Sequence, residues 1–195
     1  MRAVYIDNYH MKNKNNYVFV SVSLPILERK SIKTQLKAIN DEIMSFDNIN
    51  YQNIKKYYDY CSFFIKNIHM NSSIKKVFNY KRSMYCRTLL NLIENEYYSA
   101  NKEELRVYIP FETNKNHLKT INKMLKKRHI NAYVEEIRYS ESKLSQLSNI
   151  IAGTIYYHDR EDLYERNIGK KGKPQLVAYL YSCKKTKNKM TFLAK

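Results

Sequence analysis

The chain has 195 residues, 44% of them hydrophobic and 27% charged, which suits one domain with a real core and excludes a disordered chain. No apolar run approaches the roughly 18 residues of a membrane helix, and MRAVYIDNYH carries an acid, Asp7, where a secretory leader would be apolar, so a cytoplasmic protein without a membrane partner is expected. The 35 Lys and Arg against 18 Asp and Glu give +17, which favours a polyanionic partner, RNA or DNA; an AT-rich gene would also produce many Lys, Asn, Tyr and Ile without selection for binding.

In chain order, Arg2–Asp7 (RAVYID) and Tyr17–Leu24 (YVFVSVSL) are β-branched and aromatic runs on either side of the polar turn His10–Asn16. They predict a hairpin, which Pro25 closes. Ser31 is the expected cap of a helix with Ile32, Leu36, Ile39 and Ile43 in one stripe. Residues 51–67 predict a second helix dense in aromatics, and Tyr80–Tyr98 a third with Met84, Leu89, Leu92 and Ile93 inward. Leu105–Ile109 predicts a strand stopped by Pro110. Thr113 or Asn114 then caps a helix with Leu118, Ile121 and Leu125 inward, and Ile130–Ile137 predicts another strand. A helix over Ser142–Tyr157, a basic loop Gly169–Pro174 and a last strand-like run Gln175–Ser182 complete the order. Alternation of this kind predicts an α/β domain around a mixed sheet, with a helical middle over about 31–100 and a basic C-terminal extension from about 165 to 195. No internal repeat or Pro/Gly linker divides it, so one domain over 1–195 is expected.

Several chemistries lack their residues. Cys61, Cys86 and Cys183 form no C-x-x-C pair, and the five histidines no H-x-x-x-H, so reduced thiols and no zinc site are expected. There is no G-x-S-x-G. Gly169–Lys173 lacks the P-loop spacing, and three glycines in all preclude a dinucleotide fingerprint.

The last predicted helix is more informative. Ser145, Ser148, Asn149, Ala152 and Tyr156 share one face, and Leu144, Leu147, Ile151 and Ile155 lie on another. Small residues let a helix backbone approach a sheet closely, and would aim Asn149 at the strand ends. An active-site residue and plain tight packing both fit that geometry.

Gln146–Gly153 (QLSNIIAG) resembles the Q-L-A-D-L-I-A-G signature near the C-terminal end of a bacterial and phage family of unknown function, regarded as ribonuclease H-like in fold. That family's other hallmark, a strand ending in D-E-S-G, is similar to Tyr5-Ile6-Asp7-Asn8-Tyr9-His10, and Ser140-Glu141-Ser142-Lys143 looks like the D-S-K element before the signature helix. The resemblance covers about residues 3–24 and 105–157. It implies a ribonuclease H-like mixed sheet flanked by helices, with the helical middle as an insertion. It also implies acids at the end of the first strand, in the signature helix and after the central strand. Here Asp7 fills the first place, Asn149 stands at the second, and Pro110 followed by Glu112 at the third. The hallmark's Glu is Asn8 and its Gly is His10, which is either a remnant acid–base group or a solvated loop side chain.

These departures bear on mechanism. Nucleases of this fold use paired divalent ions, which need several converging anionic oxygens. Asn149 supplies a carbonyl oxygen without the charge. Asp159 lies too far along the helix to replace it, Asp162 lies further still, and Glu141 comes too early. A degenerate centre with no resident cofactor is therefore expected. Catalysis by Asp7 and Glu112 with Asn149, the metal being Mg or Mn held by Asp7 and Asn149, is the alternative.

Basic surfaces supply the candidate nucleic-acid contacts. Lys115, Lys119, Lys123, Lys126, Lys127 and Arg128 line the side of their helix opposite Leu118, Ile121 and Leu125. In KKVFNYKRSMYCR, Lys75, Lys76, Lys81 and Arg82 interleave with Phe78, Tyr80 and Tyr85, which suits single-stranded nucleic acid or an ordinary helix with snorkelling cations. Lys170 and Lys171 form a third basic group, either solvated or on phosphate. The sequence thus predicts a basic protein that binds RNA or DNA on a depleted nuclease fold, in a phage, plasmid or defence assembly that would bring protein partners. The alternatives are an active nuclease and a protein-binding adaptor.

Overall fold

The computed structural model describes residues 1–10, 15–39, 54–67, 69–110, 115–138, 142–158 and 190–194. Its centre is a hairpin of β1 (Arg2–Tyr9) and β2 (Tyr17–Pro25), in antiparallel register from Arg2 opposite Pro25 to Tyr9 opposite Val18. The pairing extends two residues past Asp7 because Asn8 and Tyr9 still find partners in Phe19 and Val18. Added to the hairpin are β3 (Asn71–Val77), β4 (Leu105–Pro110), β5 (Ala132–Ile137) and β6 (Met190–Phe192). The six strands lie in the order β5-β4-β1-β2-β3-β6. β2 and β3 pair antiparallel, whereas β1 with β4, β4 with β5 and β3 with β6 pair parallel. The expected α/β class with a mixed sheet is the observed one.

The period-two side-chain alternation divides the core between two faces. Ala3, Tyr5 and Tyr9 of β1 with Val18, Val20, Val22 and Leu24 of β2 point to α5 (Lys143–His158), which is backed by α1 (Arg29–Ile39) and α2 (Ile54–Lys66). Val4, Ile6 and Phe19 point the other way, to Leu89, Leu92 and Ile93 of α3 (Tyr85–Ser99) and to Ile121 and Leu125 of α4 (Lys115–Lys127). The outer edge of β5 is closed by one side chain. Asn122 donates to the Val134 carbonyl and accepts from the Val134 N–H, both at 3.0 Å, so that strand offers less open edge for another chain.

Several elements differ from expectation. Ser31 does not cap α1: a 3₁₀ turn, Ile26–Glu28, leads straight into a helix that already starts at Arg29, and Ser31 accepts a hydrogen bond from Gln35 instead. The third helix starts at Tyr85, not Tyr80. The Tyr80 N–H is taken by the Asn15 carbonyl, Asn79 has a left-handed φ of 51°, and only Arg82–Met84 winds as a 3₁₀ turn. The stretch 31–100 is not wholly helical, because β3 runs through it. The predicted strand at Ile130 begins at Ala132, since Ile130 still closes the end of α4 on Leu125 with His129 left-handed at φ 55°. β6 falls inside the expected basic extension. The expectations for Ile43, Thr113, Asn114, Gly169–Pro174, Gln175–Ser182 and Cys183 lie outside the described residues, while Cys61 and Cys86 are thiols rather than half-cystines.

β3 was hidden by its polar inward residues. Ser73 of β3 and Ser21 of β2 donate to the same oxygen of Glu96 in α3, at 2.5 and 2.6 Å. Ser23 also hydrogen-bonds Glu96, and accepts from Arg2 Nε at 2.9 Å. Glu96 is fully enclosed, and burial raises its pKa against the lowering effect of the three serines and Arg2. The folded chain therefore holds this proton more tightly than the unfolded chain does. The group's contribution to stability is complete below the ordinary carboxylate pKa and is lost as pH rises from there through the folded-state value. Glu96→Gln keeps an acceptor oxygen without the charge. It should melt about 2–4 °C above the native protein at pH 7, with the gap closing in acid; thermal melts in which both proteins track each other across pH would contradict this account.

Candidate functional site

The site is built where β1 ends beneath α5. α5 is buried on nearly all sides, and its small residues allow that. Ser145, Ser148, Ala152 and Gly153 are all buried, and the Ser148 hydroxyl donates at 3.1 Å both to the Tyr5 carbonyl of β1 and to Leu144. This direct helix-to-strand bond fixes the register of α5 on the sheet. One residue further, Asn149 Nδ2 donates to the Asn8 carbonyl at 3.2 Å.

Asp7 points to the same face of the sheet, since it continues the Ala3, Tyr5, Tyr9 set. It is 6% exposed, and its Oδ1 accepts from the Asn8 N–H at 2.7 Å. The fold thus brings Asp7 and Asn149 to one place, and both hold the backbone of Asn8. Tyr9 and Tyr156 close one side edge to face, their centroids 5.5 Å apart.

Toward β4 and β5 lies a second group that sequence reasoning missed. Tyr5 stacks on Tyr108 at 4.9 Å, and Arg29 lies over both rings at 5.8 and 4.4 Å while donating to the Tyr108 hydroxyl at 2.7 Å. Tyr108 in turn hydrogen-bonds Glu135. Burial pushes the Tyr5 phenol up to about 12 despite the neighbouring guanidinium, so both ring and hydroxyl stay neutral. The one available signal was the pair Glu135-Glu136 inside a strand, where acids are uncommon. Glu135 does not replace a missing ligand. In register it lies two strands over from Tyr5, whereas Asp7 is two residues along, which separates their Cα atoms by about 12 Å.

Whether these residues fit a metal can be tested on their donors. Asp7 supplies one carboxylate and Asn149 a neutral amide whose nitrogen is turned to the backbone. Among the described residues no group of three or more His, Cys, Asp or Glu could hold an ion. Glu112, Glu141, Asp159 and Asp162 lie outside the described residues. What is described does not fit a divalent pair.

The basic residues fall into three sets. Lys115, Lys119, Lys123, Lys126 and Lys127 of α4 are exposed opposite the buried Ile121 and Leu125. Arg128, just past that helix, is drawn onto α3 by an ion pair with Glu94 at 2.8 Å. Lys81 and Arg82 are exposed at the strand-tip end of α3. Lys75 and Lys76 serve the sheet edge, Lys75 donating to the Ala194 carbonyl and Lys76 lying 5.7 Å from the Phe192 ring centroid. Lys170 and Lys171 lie outside the described residues. His10 is exposed as expected for a loop histidine, yet its ring stacks on Tyr17 at 4.2 Å.

A chain of the Archaeoglobus fulgidus PCNA:RNase HII complex superposes with a TM-score of 0.55 at 12% identity, over 95% of this chain and 90% of that one. The fold is ribonuclease H-like. At that identity the likeness extends to the fold alone. The chain matches no protein-family model and no curated protein sequence. No helix among the described residues is long and apolar enough to cross a membrane.

Asn149→Asp tests the tip directly. It exchanges the donor to Asn8 for a charge beside Asp7, and should lower stability by about 1–3 kcal/mol at pH 7. Millimolar-range Mn²⁺ should recover part of that loss in a melting experiment; unchanged melting without metal would mean that the two side chains do not share a site.

Proposed function

We propose that this is a nucleic-acid-binding protein on a ribonuclease H-like fold whose nuclease centre is degenerate, so that it grips RNA or DNA without cutting it. One observation carries the reading: among the described residues the strand tip pairs one carboxylate, Asp7, with an amide, Asn149, and both bond the backbone of Asn8. The +17 charge and the exposed lysines of α4 support the binding half, since lysines along one helix face can track phosphates and release counterions. Lys81, Arg82, Lys170 and Lys171 extend the proposed phosphate-binding set, with Lys75, Lys76 and Arg128 at its margins. In this reading Asp7 and Asn149 are vestiges of a metal site. A phage, plasmid or defence assembly is the setting proposed from the resemblance to the Q-L-A-D family, and the PCNA in the archaeal complex is consistent with a protein partner as well.

The competing reading is a working Mg- or Mn-dependent nuclease using Asp7 and Glu112 with Asn149. The superposition on an archaeal chain from a complex with RNase HII favours it. Incubating labelled single- and double-stranded RNA and DNA with Mg²⁺ or Mn²⁺ separates the two. Native protein and Asp7→Ala should both leave the strands intact; metal-dependent cleavage that disappears in Asp7→Ala would establish the nuclease instead.

Binding itself should weaken steeply with salt. Replacing Lys119, Lys123 and Lys126 with Gln should lower the slope of log affinity against log salt by about one for each phosphate that no longer meets a cation. An unchanged slope would remove α4 from the interface, and no binding at any salt would leave a protein-binding adaptor as the better description.

A further inference from the structure

At the strand-tip end of the other sheet face, six rings from four separate segments form a continuous array. His10, after β1, stacks on Tyr17 at 4.2 Å with 11° between planes. Tyr17 meets Tyr80 at 4.1 Å. Phe19 lies beneath, 5.9 Å from Tyr80 and 6.0 Å from Tyr85, and Tyr85 reaches His117 at 5.5 Å. Phe19 is buried and forms the floor, His10 is exposed, and Tyr17, Tyr80, Tyr85 and His117 are half-buried.

Packing alone would satisfy a floor such as Phe19. It leaves unexplained why four partly open rings continue to an exposed imidazole, and why exposed cations stand next to these rings in the chain. Lys81 and Arg82 follow Tyr80 directly, Arg87 lies two residues after Tyr85, and Lys115 two before His117; all four are exposed. Tyr85 opens α3 and His117 stands in the first turn of α4, and neither helix carries an acid in its first turn. Burial, then the adjacent Tyr17 and Tyr85, push the Tyr80 phenol up to about 12, so the rings add no negative charge.

We infer that this array is a stacking platform for single-stranded nucleic acid, with bases laid against the open rings from His10 to His117 and phosphates met by Lys81, Arg82, Arg87 and Lys115. Rings take any base because every base offers a flat face, and duplexes are excluded because their bases are already stacked. This use of the rings rests on the nucleic-acid reading above and adds to it the strand state of the ligand.

The chain has 19 tyrosines and no tryptophan, so its intrinsic fluorescence is tyrosine emission, to which Tyr17, Tyr80 and Tyr85 of the array contribute. Native protein is titrated with a thymidine oligonucleotide, a uridine oligonucleotide, an abasic strand of equal length and charge, and a duplex. The base-bearing strands should quench tyrosine emission and bind about ten times tighter than the abasic strand. His10→Ala should reduce that preference about fivefold or more, read as the ratio of base-bearing to abasic affinity. Lys81→Gln with Arg82→Gln should weaken all strands alike. Thermal melts establish that each variant folds, and His10, being exposed at the end of the array, can be removed without opening the core. Equal affinity for abasic, duplex and base-bearing strands would overturn the platform while leaving nucleic-acid binding intact; binding to none of them would overturn both. Thymidine against uridine strands distinguishes DNA from RNA as the source of the bases.

Discussion

The structure depends on how closely α5 lies on β1 and β2. A helix over a sheet normally stands off by the depth of its side chains. Here the Ser148 hydroxyl reaches the Tyr5 carbonyl directly, and Ala152 and Gly153 keep the same side thin. That proximity sets everything at the tip. It delivers Asn149 to the Asn8 carbonyl and brings Tyr156 against Tyr9. It also removes most water from the neighbourhood of Asp7. A second carboxylate at 149 would stand beside Asp7 in a poorly solvated place, at a cost of about 1–3 kcal/mol unless a cation compensated it. An amide suffers no such penalty and can bond the strand end. An acid at this position would therefore need a bound cation beside it, whereas the amide does not.

The opposite sheet face solves a different problem. Its core contains a carboxyl group, Glu96, surrounded by Ser21, Ser23 and Ser73 with Arg2 behind them. Their hydrogen bonds tie together three neighbouring strands and α3. A buried polar group left unsatisfied is costly, so the cluster is specific: α3 packs well only in the register that brings Glu96 to the serines. The same helix begins at Tyr85, so the buried cluster positions the ring array at its far end.

These features explain what could be read in advance. β1, β2 and β4 announce themselves by β-branched and aromatic runs, and α4 and α5 by three- and four-residue spacing. β3 does not, because Ser72, Ser73, Lys75 and Lys76 interrupt the apolar alternation that marks a strand, and the partners that justify the inward serines lie more than twenty residues away. β6 is three residues long and held partly by Lys75 and Lys76 from the neighbouring strand. At the tip, Asp7 and Asn149 were legible because each sits at a recognisable place in a regular element. The Arg29, Tyr5, Tyr108 cluster and the ring array were not, since tertiary folding alone gathers rings from positions 10, 17, 80, 85 and 117.

Gripping and cutting make opposite electrostatic demands on such a tip. Cutting needs converging carboxylates, which repel a phosphodiester until divalent ions bridge the two. At about 6 Å and an effective dielectric constant of about 20, each uncompensated carboxylate costs a bound phosphate about 3 kcal/mol. A chain that keeps Asp7 engaged with its own backbone and carries Asn149 beside it has little of that repulsion. Under the proposed function its lysines would meet phosphates with little opposition from the Asp7 and Asn149 pair, and its rings would meet bases without regard to charge. On the proposed function, an amide in place of an acid at a metal-free tip would favour holding a strand over cutting it.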